Sequence, residues 1–305
     1  MKAGIVVALS LVAASAHADN KAWTAGKKIL PAGQAMVVVA NFAAIHDSQL
    51  FQTMWPTFLA QHKDAANMLG KTKSTCGLDP MQAIDSVVLA MPSVDGNSDN
   101  AAFVVSLKGA TQKEVDSCIT KLEKAETGNK VTISTDGGIT KYDTGGDAIY
   151  MRWVDKNTLV FSAAGKDQLV KMTKGGLGGD KAISTAIGGL KGDAALSLIF
   201  TGPIPVDQVA PGAKASLAYG NASLKNGTVG VDVHVVMDSA KSSADFATKA
   251  SGQLALAKSS GALPQQFNAL VNSIAIKSVA SELVITASST EKDVLGLVQT
   301  ALGTP

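Results

Sequence analysis

Arginine is almost missing from this chain. Arg152 is the only one among 305 residues. Arginine is the usual fork for phosphate and carboxylate groups, so a phosphate-handling site has little to work with. Aromatic residues make up only 5%, which leaves any core few large anchors. There are 2 cysteines, Cys76 and Cys118. Their separation excludes a CxxC redox motif and a zinc knuckle. No apolar run after residue 18 approaches the length of a membrane span. G-x-S-x-G, HExxH, G-x-G-x-x-G and a phosphate loop ending in G-K-[ST] are also missing. The common hydrolase, zinc-protease, dinucleotide and nucleotide readings therefore lose their usual support.

What is present begins at the start of the chain. Lys2 gives a positive start, Ile5 to Ala14 a short apolar core, and Ala16-His17-Ala18 the small residues that a signal peptidase reads. This is the layout of a secretory signal peptide over residues 1–18, cut before Asp19. No cysteine follows the cut, so a lipid-anchored protein is not expected. Removing Lys2 leaves 26 basic side chains against 25 acidic ones. That balance offers no basic face for nucleic acid. The expectation is an exported protein, periplasmic or extracellular, with no transmembrane segment in the mature chain. In an oxidising compartment an even pair of cysteines most often forms a disulfide. Closing a loop of this size stabilises by about 4 kcal/mol in the chain-entropy model.

Residues 19–34 read as an irregular lead-in, followed by a strand at Met36–Val39. Leu50, Phe51, Met54, Phe58 and Leu59 recur at helical spacing, with Pro56 predicting a kink or a fresh start. Strands are expected at Ile84–Met91 and Ala102–Leu107, around a polar hairpin at Asp95–Asn100. Thr111-Gln112-Lys113-Glu114 has capping-box spacing. The helix that it opens turns Val115, Cys118, Ile119 and Leu122 to one side, which suits a bridge to Cys76. Strands near Val131–Ser134, Ile149–Val154 and Thr158–Ala163 and a helix at Lys166–Lys174 complete the first half.

Gly175–Gly192 reads as a boundary with a short helix at Lys181–Ile187. After it the pattern restarts with a strand at Ala194–Phe200 and a short turn of helix at Pro203–Pro211. Ser216–Leu224 and Val229–Met237 flank Asn226-Gly227, the favoured two-residue turn. A helix at Ala244–Lys258, strands at Ser273–Val279 and Glu282–Ala287, and a helix from Glu291 to Leu302 close the chain. Leu159-Val160-Phe161-Ser162-Ala163 can be laid beside Leu283-Val284-Ile285-Thr286-Ala287, each followed by a helix that opens at Lys-Asp. These readings predict an α+β fold. Two similar domains in tandem, 19–174 and 193–305, would flank a linker at 175–192. Each would be a mainly antiparallel sheet with helices on one face.

The chain resembles an uncharacterised family of exported proteins from myxobacterial-type Gram-negative bacteria. The resemblance rests on the signal peptide, Cys76-Gly77-Leu78-Asp79-Pro80 and Ile84-Asp85-Ser86-Val87-Val88. It extends to the Phe103–Gly109 strand, the helix carrying Cys118, and the restart at Asp193-Ala194-Ala195-Leu196. It covers most of the chain. It implies an envelope location and the Cys76–Cys118 bridge, and it implies no activity, site residues or cofactor.

Local constellations add little chemistry. His46, His62 and His234 belong to no metal or catalytic motif. Asp95, Asn97 and Asp99 alternate as calcium ligands would, but the glycine and glutamate positions of such a loop hold Asn100 and Ser106. Ser289-Thr290-Glu291-Lys292 and Ser98-Asp99-Asn100 echo penicillin-binding enzymes in reversed order, and Thr290 to Asp293 is also the spacing of a helix cap. The largest aromatic group is Phe51, Met54, Trp55 and Phe58. It is a core, an apolar-ligand lining or a partner surface. Crowded around Pro56, these four side chains are not expected to face one way. Three readings follow. The first is a non-enzymatic envelope protein that binds another protein. The second is a carrier of a lipid or other apolar small molecule near Phe51–Phe58. The third is a hydrolase whose site is scattered among residues such as His46, His62, Asp79 and Asp85.

Overall fold

The computed structural model describes residues 20–93, 100–128, 130–144, 148–162, 164–172, 174–206, 209, 211–260 and 267–301. The strands are β1 (Met36–Asn41), β2 (Ile84–Met91), β3 (Ala102–Leu107), β4 (Thr132–Asp136), β5 (Ile139–Asp143) and β6 (Ile149–Trp153). They continue with β7 (Thr158–Ser162), β8 (Leu196–Ile204), β9 (Ala215–Lys225), β10 (Thr228–Met237), β11 (Ala275–Val279) and β12 (Glu282–Thr290). The expectation of one sheet per half gives way to a single antiparallel sheet. Its order is β11-β12-β10-β9-β8-β1-β2-β3-β7-β6-β5-β4. The join is the β1–β8 ladder, from Met36 opposite Phe200 to Ala40 opposite Leu196. Outward from that pair, one side runs first, second, third, seventh, sixth; the other runs eighth, ninth, tenth, twelfth, eleventh. Both halves lay down their strands in the same order, and the first adds β5 and β4. The β9–β10 turn is as expected, with Asn226 and Gly227 at φ of 52° and 72°.

Alternate side chains of a strand face opposite ways. The register carries Val37, Val39, Val88, Ala90, Val104, Val160 and Ile199 to one face. That face is covered. α1 (Lys21–Ile29) lays Ala22, Trp23 and Ala25 on it, in one buried cluster with those strand residues. Trp23 is 3% exposed. The lead-in is thus a helix, a correction with a clear cause. α1 has only 9 residues, and most of its buried positions are alanine or glycine, so its one apolar face is short and carries few large side chains. Packing on the sheet makes it helical rather than propensity. Asn20 caps it by accepting from the Trp23 N–H at 3.0 Å.

α7 (Lys166–Met172), two single 3₁₀ turns at Leu177–Gly179 and Lys181–Ile183, and α8 (Ser184–Gly189) extend the same cluster through Leu169, Leu177, Ile183 and Ala186. The stretch read as a linker is therefore packed. Gly175 has a φ of +62°, and a Cβ there would lie 2.1 Å from the Lys28 carbonyl oxygen. Leu177 donates its N–H to the Leu30 carbonyl at 2.9 Å. Glycine here permits close approach to the end of α1.

Helices also occupy the opposite face, where the sequence reading placed them on one face only. At one end, α6 (Gln112–Thr127) sets Val115 against Val105, Leu107, Leu159 and Trp153. At the other, α9 (Ala240–Ser259) sets Phe246 and Ala247 against Val235, Leu283 and Ile285. α6 opens on the expected capping box of Thr111 and Glu114. β5 was not anticipated, because Ile139-Thr140-Lys141-Tyr142-Asp143 mixes polar and apolar residues. Pro203 and Ile204 end β8 instead of opening a helix. The expected hairpin tip at Asp95–Asn100 falls largely on residues 94–99, outside the described residues.

Candidate functional site

Between α6 and α9 the second face is apolar and open. On β1 the covered side holds Val37 and Val39 at 0% and 6% exposure, while Met36, Val38 and Ala40 on the other side are only partly buried. On β8 the contrast is larger. Ile199 is 1% exposed, whereas Leu196 and Leu198 are 43% and 39% exposed. Register places Leu198 beside Gly220 of β9, and Gly220 beside Val233 of β10. Leu196, Leu198, Ala218, Gly220, Ala222 and Val231 line a shallow, almost wholly apolar depression of 160 Å³. The small residues of β9 form its floor, and β8 and β10 supply its walls. It is below the range of about 300–1,000 Å³ usual for small-molecule pockets.

The aromatic group anticipated from sequence lies elsewhere. α2 (Phe42–His46) leads into α3 (Gln49–Gln61), and α3 turns at His62 into α4 (Lys63–Cys76). None of the residues of α3 or α4 is buried. Three of the four side chains align. Phe51 stacks on Trp55 with centroids 5.2 Å apart, and Trp55 on Phe58 at 5.3 Å. His46 and His62 extend the row at 6.0 and 4.4 Å. Spacings of four and three residues keep one side of a helix, and α3 continues through Pro56. Met54 lies on the same helix, partly buried. Phe58 is 43% exposed. The row therefore does not fill a core. The cavity beside Phe58 is a polar corner completed by Gln61, His62, Lys63, Asp64 and Ala65.

Both ends of this helix pair are fixed. The Leu50 N–H donates to Glu291 Oε2 at 2.7 Å, at the start of α11 (Glu291–Ala301). At the other end Cys76 and Cys118 form the disulfide, with Cα atoms 5.0 Å apart. Lys71 reaches Glu126 at 2.7 Å.

The scattered hydrolase candidates do not converge. His46 and Asp85 share a cavity of 110 Å³ with Gln82, which lies 2.7 Å from the His46 ring. Asp79 caps α5 (Pro80–Ala83) and pairs with Lys73 at 2.9 Å. That hydrogen bond holds its carboxyl below the usual range. His62 sits against Phe58 at the α3–α4 corner. Thr290 and Asp293 make the helix cap anticipated for them, with the Asp293 N–H donating to Thr290 Oγ1 at 3.1 Å. Ser98, Asp95, Asn97 and Asp99 lie outside the described residues. Among the described residues no group of three or more His, Cys, Asp or Glu side chains is placed to hold a metal. Among them, too, no helix is long and apolar enough to cross a membrane.

One polar network was missed. Tyr219 donates to Glu282 at 2.8 Å and stacks on His234 at 4.6 Å. His234 lies 3.2 Å from Glu282 and 3.7 Å from Asp232. Asp232 also takes Lys191 and the Asn221 amide. Burial, reinforced by Glu282, pushes the Tyr219 hydroxyl well above the ordinary tyrosine range. The network ties the segment after α8 to β9, β10 and β12. No sequence signal marks it, since its members lie on four separate elements.

No family model and no curated protein matches the sequence. The fold has solved counterparts. Crystal form III of a protein named TP0453 aligns with a TM-score of 0.50 at 10% identity, covering 89% of this chain and 96% of that one. Crystal form I gives 0.49 at 10% identity, covering 90% and 96%. At such identity the likeness speaks to fold alone.

Proposed function

We propose that this chain is an exported envelope protein without catalysis of its own, and that it binds another protein through the open middle of its sheet. One observation carries the reading. β1 is apolar on both faces, a pattern of strands buried on both sides, and beside it β8 turns Leu196, Leu198 and Phe200 to the same open side, yet only the other side is covered. Apolar patches of this kind mark contact surfaces. The disulfide and the signal-like start of the chain support an oxidising compartment outside the cytoplasm. A photo-crosslinking residue at position 198, in cells that export the protein, tests the contact. Lys277 on β11 serves as the control position. A protein adduct at 198 and none at 277 is expected. Equal adducts at both positions, or none at 198, would contradict the reading.

The carrier reading keeps one supporting observation, the apolar lining of the depression over Gly220. Its place would be there, not at Phe51–Phe58, where the rings stack on one another. A lipid or small-molecule adduct at 198 would favour it over a protein partner.

A further inference from the structure

The two ends of the sheet are unequal. At one end, β11 carries Lys277 in its middle and lies under α9. A lysine in the strand is a common guard against edge pairing. At the other end, β4 has neither device. Thr132, Ile133, Ser134, Thr135 and Asp136 are all exposed, with Ile133 at 40%. The strand contains no lysine, proline or bulge, and Thr132, Ile133 and Thr135 are β-branched residues that favour extended structure.

The hairpin fixes which groups of β4 are unpaired. Gly137 and Gly138, at φ of +56° and +78°, make a two-residue turn, and Asp136 stands opposite Ile139. Residues flanking such a turn exchange both hydrogen bonds, and the pairs then alternate along the ladder. Thr132, Ser134 and Asp136 therefore turn their N–H and C=O groups toward β5. Ile133 and Thr135 turn theirs outward.

We propose that β4 joins two copies of this chain, edge to edge and antiparallel, about a two-fold axis at Ser134. In that register Ile133 of one copy and Thr135 of the other exchange hydrogen bonds, twice over. Ser134 faces its own counterpart. Charge favours the same arrangement. Lys130 precedes the strand and Asp136 ends it, so antiparallel copies set the lysine of each diagonally across from the aspartate of the other. Lys166 holds Asp136 at 2.9 Å within the same copy, so the aspartate would be shared between two lysines and the cross-copy attraction is modest. A five-residue edge is a small contact, so the dimer is reversible, with a dissociation constant on the order of micromolar. The contact is separate from the open face and does not depend on it.

Sedimentation of the mature chain at concentrations up to on the order of 100 μM should show a concentration-dependent dimer. Thr135→Pro removes an outward N–H and spares the ladder to β5. It should abolish the dimer while the circular dichroism stays that of the wild type. Ser134→Cys gives a reading that survives any damage from proline. Directly opposed residues in a non-hydrogen-bonded pair have Cα atoms about 4.5 Å apart. That variant should oxidise to a covalent dimer, and Thr132→Cys, which faces Asp136 of the other copy, should not. A wild-type monomer throughout the range overturns the proposal. So does a dimer that survives Thr135→Pro, or equal cross-linking through positions 132 and 134.

Discussion

The two faces of β1 are both apolar and meet different fates, and neighbouring apolar residues of β8 are parted in the same way. On β8, Ile199 is 1% exposed under the α1 side, while Leu198, one residue earlier, is 39% exposed. Nothing in side-chain chemistry separates them. The difference lies in what the chain puts above each. A 9-residue helix that turns Ala22, Ala25 and Gly26 inward lies near the sheet and, with α7 and α8, closes one face. On the other face α6 and α9 stand over the two ends and leave the middle bare. Burial of an apolar side chain is worth about 1.5–3 kcal/mol. The closed face is therefore where stability resides, and the open face is where that free energy is still available to a partner.

Five variants sharpen the contrast, beginning with the largest expected effect. Trp23→Ala empties the centre of the closed face and should cost about 3–5 kcal/mol by urea unfolding. Leu198→Ala, on the neighbouring surface, should cost less than about 1 kcal/mol and yet weaken partner capture. Equal costs for the two would erase the distinction between the faces. Cys76→Ser should lower the melting temperature clearly, by the equivalent of up to about 4 kcal/mol, and leave binding through the open face intact. Free thiols in the native exported protein would refute the bridge.

Tyr219→Phe removes the hydrogen bond to Glu282 and should cost about 1 kcal/mol at neutral pH. It also has a pH signature. The Tyr219 hydroxyl is held above its ordinary value, so the unfolded chain loses that proton first. Its contribution is complete below about pH 10 and is lost as pH rises beyond that toward the folded value. The phenylalanine variant should flatten the alkaline loss of stability, and an unchanged alkaline slope would count against the network. Asn20→Ala, which uncaps α1, should cost about 1 kcal/mol, measured the same way.

Much of the sheet was legible in the sequence. Val229, Val231, Val233 and Val235 alternate, Asn226-Gly227 turns, and both features reappear in β10 and its hairpin. The capping box of α6 was equally plain. What failed has physical causes. α1 hides because it spans barely two turns and its buried face, apart from Trp23, is made of small residues. Gly175–Gly192 reads as a linker because close backbone approach and a domain boundary ask for the same residue. The row of Phe51, Trp55 and Phe58 was visible as a group, but Pro56 argued against the continuous helix that aligns it. The open depression had no local signal at all. Leu196 and Leu198 read as any central strand would, and only the placement of α6 and α9 leaves them bare.

The most direct test of the open face compares one position in two settings. Leu198→Cys, with the native disulfide intact, can be labelled by a maleimide in whole exporting cells and again after purification. Slow labelling in cells and fast labelling of the purified chain are expected, because a partner covers the face only in place. Equally fast labelling in both settings would contradict the account.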